Sequence, residues 1–130
     1  MLQAIPYMAV LVIVYNALVF LTGIELSAVV TEVTLVSGAV WTLTVSDILL
    51  VSGLALLLVE IISATRVGGS AIINHSLSVL VFVVCLLQFV ALPQFGTSTF
   101  FFITLYTLID VVAGFVVTIP VARRDFSVGS

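Results

Sequence analysis

The chain has no lysine, one cysteine (Cys85) and one histidine (His75), and only three arginines and six carboxylates among its 130 residues. Each shortage excludes a chemistry. Without lysine, retinal cannot be held as a Schiff base. A single cysteine rules out an intrachain disulfide, a CxxC redox pair and an iron–sulfur site; in its apolar run Cys85 reads as a small hydrophobe. One histidine cannot give bis-histidine haem within a protomer, although a symmetric dimer could supply two. No His/Cys/carboxylate set has the spacing of a zinc site, so no metal is expected. Three cations cannot neutralise a run of phosphates, which excludes nucleic acid as a partner. Ser76 and Ser78 have no base at a useful spacing. Gly68–Gly69 is a turn signal without a phosphate-binding frame. The residues therefore point away from an enzyme and call for no cofactor, leaving bound lipid or pigment open.

Apolar residues fill the space these absences leave. Hydrophobic side chains make up 63% of the chain and charged ones 7%, with a mean hydropathy of +1.49. Soluble domains carry roughly 25% charged residues, so most of these side chains must have lipid as their solvent. Crossing the hydrocarbon core takes about 20 apolar residues as helix. Four segments qualify, at residues 5–22, 47–64, 71–92 and 98–121, with an outer loop at 23–46 and a tail at 122–130. The expectation is an all-α membrane protein, a bundle of four transmembrane helices forming one integral membrane domain. The first twenty residues lack the basic region of a signal peptide and read as the first span.

Boundary residues support these cuts. Ser46–Asp47 can cap the second helix and place a carboxylate at its positive end. Gly68–Gly69 offers a left-handed exit from that helix, Pro93 ends the third, and Thr97–Ser98 can cap the fourth. Pro120 should mark the last turn of the fourth helix. Arg66 lies between helices two and three, and Arg123 and Arg124 follow helix four. These three topology determinants fall on one side of a four-span protein, which the positive-inside rule makes cytoplasmic together with both termini. The implied location is the cytoplasmic (inner) membrane of a bacterium or archaeon. Residues 24–45 depart from the helical pattern. Glu32-Val-Thr-Leu-Val, Ser37-Gly38 and Ala-Val-Trp-Thr-Leu-Thr-Val show partial alternation about a turn signal, which reads as a small outer β-hairpin. The other reading is an interfacial or re-entrant segment. Trp41 suits either, since indole favours the headgroup level.

Asp110 is the sharpest candidate for function. Counting back from Arg123 puts it roughly 20 Å from the cytoplasmic end, where a carboxylate costs at least about 2.5–3.5 kcal/mol. Thr107, Asp110, Gly114 and Thr118 share one helix face, with Phe101, Val112, Phe115 and Val116 on the other. Asp110 is either a proton or cation site or a hydrogen-bonded lock between helices. Asn16 and Gln88 lie in the middle or outer half and read as interhelical glue, in a cluster that could include Asp110. Glu60, on a stripe with Leu49, Ser52, Gly53, Leu56 and Ser63, reads as an interfacial ion pair with Arg66, His75 or the terminal arginines. Its functional version is a Glu60–His75 proton inlet leading toward Asp110. The aromatic wall Phe100, Phe101, Phe102 and Phe115 could face lipid or a partner. Two functions follow. The first is a structural or accessory subunit of a homo-oligomer or larger membrane complex. The second is a small proton- or cation-coupled carrier or channel using Asp110 with Glu60.

Overall fold

The computed structural model describes the backbone of residues 5–63 and 69–129, and side chains over 5–63 and 72–116. Four helices, α1 (Tyr7–Leu21), α2 (Val45–Ser63), α3 (Gly69–Ala91) and α4 (Ser98–Gly129), carry most of the chain. Between α1 and α2 lies the expected hairpin, β1 (Val29–Thr34) and β2 (Val40–Thr44), paired antiparallel. Its turn closes through Gly38 N–H on Leu35 O at 2.9 Å and Leu35 N–H on Ala39 O at 2.8 Å. Gly38 takes φ 90°, a left-handed conformation that costs glycine little. The Ser37-Gly38 signal is therefore a genuine turn.

Three helices are long and apolar enough to cross a membrane, over Val45–Ser63, Ile72–Ala91 and Ser98–Val116. The first expected span is shorter. α1 has 15 residues, about 22 Å at 1.5 Å per residue, because Pro6 stays extended before it and Thr22 is extended after it. Thr22 closes the end by donating its hydroxyl to Leu18 O at 2.7 Å. The fourth helix is longer than expected. Its helical backbone runs on through position 120 to Gly129, so the proline does not end it and residues 122–129 continue the helix. Arg66 lies outside the described residues, and for Arg123 and Arg124 only the helical backbone is described, so the charge basis of topology has no structural counterpart here.

The helix starts are built by threonines. α2 begins two residues earlier than Ser46–Asp47 capping implied, and Thr44 is its cap. The Thr44 hydroxyl accepts the Asp47 N–H at 3.3 Å, and Asp47 Oδ2 accepts the Thr44 N–H at 3.0 Å and its hydroxyl at 3.1 Å. This reciprocal capping box satisfies donors that the first turn leaves open. Thr44→Ala should therefore cost about 1 kcal/mol, read as a lower unfolding midpoint in detergent, while Asp47→Glu, which keeps the acceptor, should cost less. At α4, Thr97 is the cap and accepts the Phe100 N–H at 3.1 Å. Leu92 is extended before Pro93, as the proline ring requires of its neighbour, and α3 stops there as expected.

In the bundle α4 packs against α3 and α2, and α1 against α2 and α3, so α2 and α3, though consecutive, stand diagonally. The hairpin end is closed by Tyr15, Phe95 and Phe100, with centroids 4.8–5.5 Å apart. Hydroxyl contacts cross it from Tyr15 to Thr97 (2.9 Å) and from Ser46 to Thr99 (2.6 Å). Phe100 is thus core and not part of an outer wall, whereas Phe101, Phe102 and Phe115 are exposed. Outward-facing positions of the helices are mainly Val, Leu, Ile and Phe, while Glu60, Ser78, Thr99, Thr104, Thr107 and Asp110 are buried. The helices thus present an apolar exterior in place of the polar one of a soluble domain, over a core that is itself mostly apolar.

Candidate functional site

The buried polar groups away from the hairpin end gather around two carboxylates. On α4 the inward stripe is as the helical period predicts: Thr107, Asp110 and Gly114 are buried, and Phe101, Val112, Phe115 and Val116 are exposed. The side chain of Thr118 lies outside the described set. Threonine hydroxyls along this stripe return to their own helix, Thr104 to Phe100 O at 2.9 Å and Thr107 to Thr104 O at 2.6 Å. Such bonds satisfy a hydroxyl where no water can reach it. Cys85 on α3 is fully buried against the Thr107 hydroxyl, a packing position as its apolar run implied.

Glu60 is 2% exposed and Asp110 5%. The sequence put them at different depths, but the bundle brings them near one another. Asp110 lies against the hydroxyl of Ser78, which also donates to Asn74 O at 3.0 Å. Glu60 makes no ion pair among the described residues. Instead its Oε2 accepts the backbone N–H of Tyr7, at the first turn of α1, at 2.7 Å. Pro6 can offer that turn no side-chain cap, so a carboxylate from α2 does the capping across the bundle, at the positive end of the α1 dipole. The Asn74 side chain adjoins the carboxylate, whose Oε1 is sealed from solvent.

His75 does not pair with Glu60. Its ring sits against Gly114, in the space a Cβ there would need, and meets Phe115 edge-on with centroids 4.4 Å apart. Its Nε2 is buried with no hydrogen-bond partner. On the α2 stripe Leu49, Gly53 and Glu60 face inward with Leu57, while Ser52 points outward. Gly53 lets α2 approach Leu11 and Tyr106 closely, and Tyr106 donates to Leu50 O at 3.2 Å.

Asn16 and Gln88 form a reciprocal amide pair, with Gln88 Nε2 donating to Asn16 Oδ1 at 2.7 Å and Asn16 Nδ2 to Gln88 Oε1 at 3.4 Å. Asn16 also donates to Val12 O at 2.9 Å. The pair ties α1 to α3 and does not include Asp110, because Gln88 lies ten residues, about 15 Å, along α3 from Ser78. Sequence reasoning missed Tyr7, Asn74 and the role of Ser78. Asn74 and Ser78 are spaced i, i+4 and so share a helix face, a signal that was present; a backbone N–H serving a remote carboxylate leaves none. Among the described residues no group of three or more His, Cys, Asp and Glu could hold a metal. No protein-family model, curated protein or solved structure matches this chain.

Proposed function

We propose that the protein is one integral membrane domain, with both termini cytoplasmic, that acts as a structural or accessory subunit of a homo-oligomer or larger membrane complex. The observation that carries this reading is how the polar side chains are used. Glu60 seats α1, Asn16–Gln88 joins α1 to α3, Tyr15–Thr97 joins α1 to α4, and Ser46–Thr99 and Tyr106–Leu50 join α2 to α4. In lipid, where apolar surface gives helices little reason to associate, such bonds hold a bundle together. The apolar exterior of α2 and α3 is left for lipid or for neighbouring subunits. The cytoplasmic membrane of a bacterium or archaeon suits a chain with so little extramembrane structure.

One observation favours a second reading, a proton- or cation-coupled carrier or channel. Glu60 and Asp110 are both buried in the bundle, near one another, and neither has an ion-pair partner among the described residues. Intramembrane carboxylates commonly mark such paths. Asp110 variants separate the two. For a subunit, Asp110→Asn should leave assembly on native gels intact, while Asp110→Leu should lose about 1–2 kcal/mol of interhelical bonding and shift the oligomer toward monomer. For a carrier, Asp110→Asn should abolish proton-coupled flux in liposomes while the protein still assembles. Wild-type protein that co-purifies with nothing, in mild detergent, and forms no oligomer overturns the subunit reading. Wild-type protein without flux overturns the carrier.

A further inference from the structure

The hairpin is the only described part of the chain whose two faces both lie outside the bundle. Its strands are exposed over almost their whole length, and its register sorts the side chains. Val33 pairs with Trp41 and Thr31 with Leu43, so these four share one face. Glu32 pairs with Thr42 and Thr34 with Val40, on the opposite face. The first face is an apolar patch ending in an indole, with Val33 40% and Trp41 49% exposed. The second carries the charge and two hydroxyls, Glu32, Thr34 and Thr42, with Val40 the one apolar side chain among them. Nothing in the described chain accepts the Trp41 indole N–H.

Position relative to the helices decides what this face meets. β2 runs into α2 with no linker, Thr44 being both the last strand residue and the helix cap. The base of the hairpin is pinned to the first turn of α2, with Val45 N–H on Ala28 O at 3.0 Å and Ser46 N–H on Leu26 O at 2.9 Å. Trp41 is four residues from α2, at most about 13 Å along an extended strand. The headgroup layer on one side of a bilayer is about 5–7 Å deep. A hairpin lying along the surface keeps Trp41 in that layer; one standing on end carries an apolar face into water. The same end of the bundle continues the apolar surface through exposed Leu21, Ile24 and Ile48. A ring with an apolar body and a free N–H is the side chain suited to that boundary.

We infer that the hairpin is an interfacial lipid-binding element that lies in the headgroup layer, with Val33, Trp41 and Leu43 toward the acyl chains and Glu32, Thr34 and Thr42 toward water. This rests on the membrane reading above and adds to it the bilayer surface as the hairpin's partner. Trp41 is the sole tryptophan, so its fluorescence reports the hairpin directly. Full-length protein in phosphatidylcholine vesicles should float with them and show blue-shifted emission. Lipids brominated near the headgroup end of the acyl chain should quench it, and aqueous acrylamide should quench it several-fold less than free tryptophan. Val33→Glu, on the Trp41 face, should shift the emission to the red and remove lipid quenching. Thr34→Glu, one residue away on the other face, should do neither. Protein that floats with vesicles but shows red, acrylamide-accessible emission overturns the inference while leaving the membrane reading intact. Blue emission that needs a high protein-to-lipid ratio and ignores brominated lipid assigns the face to a second copy and also overturns it. Protein that does not float overturns both.

Discussion

Glu60→Leu should detach the first helix from the bundle, with a destabilisation of about 2–4 kcal/mol. The carboxylate of Glu60 is the acceptor for the Tyr7 N–H. A hydrogen bond to a charged group contributes about 1.5–3 kcal/mol, and a carboxylate at a helix N-terminus adds about 0.3–1 kcal/mol. Leucine removes both terms and leaves an N–H with no acceptor where water does not readily replace one. Glu60→Gln keeps a carbonyl oxygen in the same place and should lose only the part due to charge. Unfolding midpoints in detergent should rank wild type, Gln and Leu in that order. Hydrogen exchange should localise the effect: in the leucine variant the first-turn amides of α1 lose protection while those of α3 and α4 keep it. Equal behaviour of the two variants would mean that Glu60 does not seat α1. The glutamine variant also bears on transport, because it keeps the seat but cannot take up or release a proton.

The helices and hairpin were legible in the sequence because their signals are local. A proline at 93 and a Ser-Gly turn act within a few residues, and an apolar run of about twenty is read along one continuous segment; the structure agrees at the proline, at the turn and at three of the four runs. The inward face of α4 was legible for the same reason, since Thr107, Asp110 and Gly114 follow the helical period. What failed was non-local. Depth along separate helices was counted from arginines, which put Glu60 and Asp110 apart; the parallel packing of α2 and α4, whose first turns meet at Ser46 and Thr99, put them at similar depth. Of the charged partners expected for Glu60, only His75 has a described side chain, and it packs on Gly114 and Phe115 instead; Glu60 itself meets a backbone N–H freed by the start of α1. Phe100 was grouped with Phe101 and Phe102 by adjacency, although neighbours on a helix point about 100° apart. Helix ends were displaced for a related reason. Thr44 had a place in the strand period and so was not weighed as a cap, yet it fills both roles.

Close packing sets the last expectation. At Gly53 α2 packs tightly on both α1 and α4: a Cβ added there would lie 2.8 Å from Leu11 Cδ2, 2.8 Å from Tyr106 Cε2 and 2.9 Å from Tyr106 Cδ2. Real side-chain contacts do not occur at such distances, so something must move. The Leu11 methyl ends a flexible side chain and can swing aside. The Tyr106 ring is less free, because its hydroxyl donates to Leu50 O on the same helix as Gly53. Displacing the ring breaks that bond and separates α2 from α4. Gly53→Ala should therefore cost about 1–3 kcal/mol as an overpacking change, despite the higher helix propensity of alanine, which alone favours the substitution by about 1 kcal/mol. Gly53→Leu should cost more and open the α2–α4 contact outright. The cause is separable from a general intolerance of α2 to change. Tyr106→Ala removes the obstructing ring and has its own cost, but combined with Gly53→Ala it should be less harmful than the two single effects added, since the residues touch and their energies couple. Gly38→Ala, at a left-handed turn outside the bundle, should leave the unfolding of the helices nearly unchanged. A Gly53→Ala protein as stable in detergent as wild type, or strict additivity in the double variant, would show that Tyr106 does not hold α2 and α4 in register at this point.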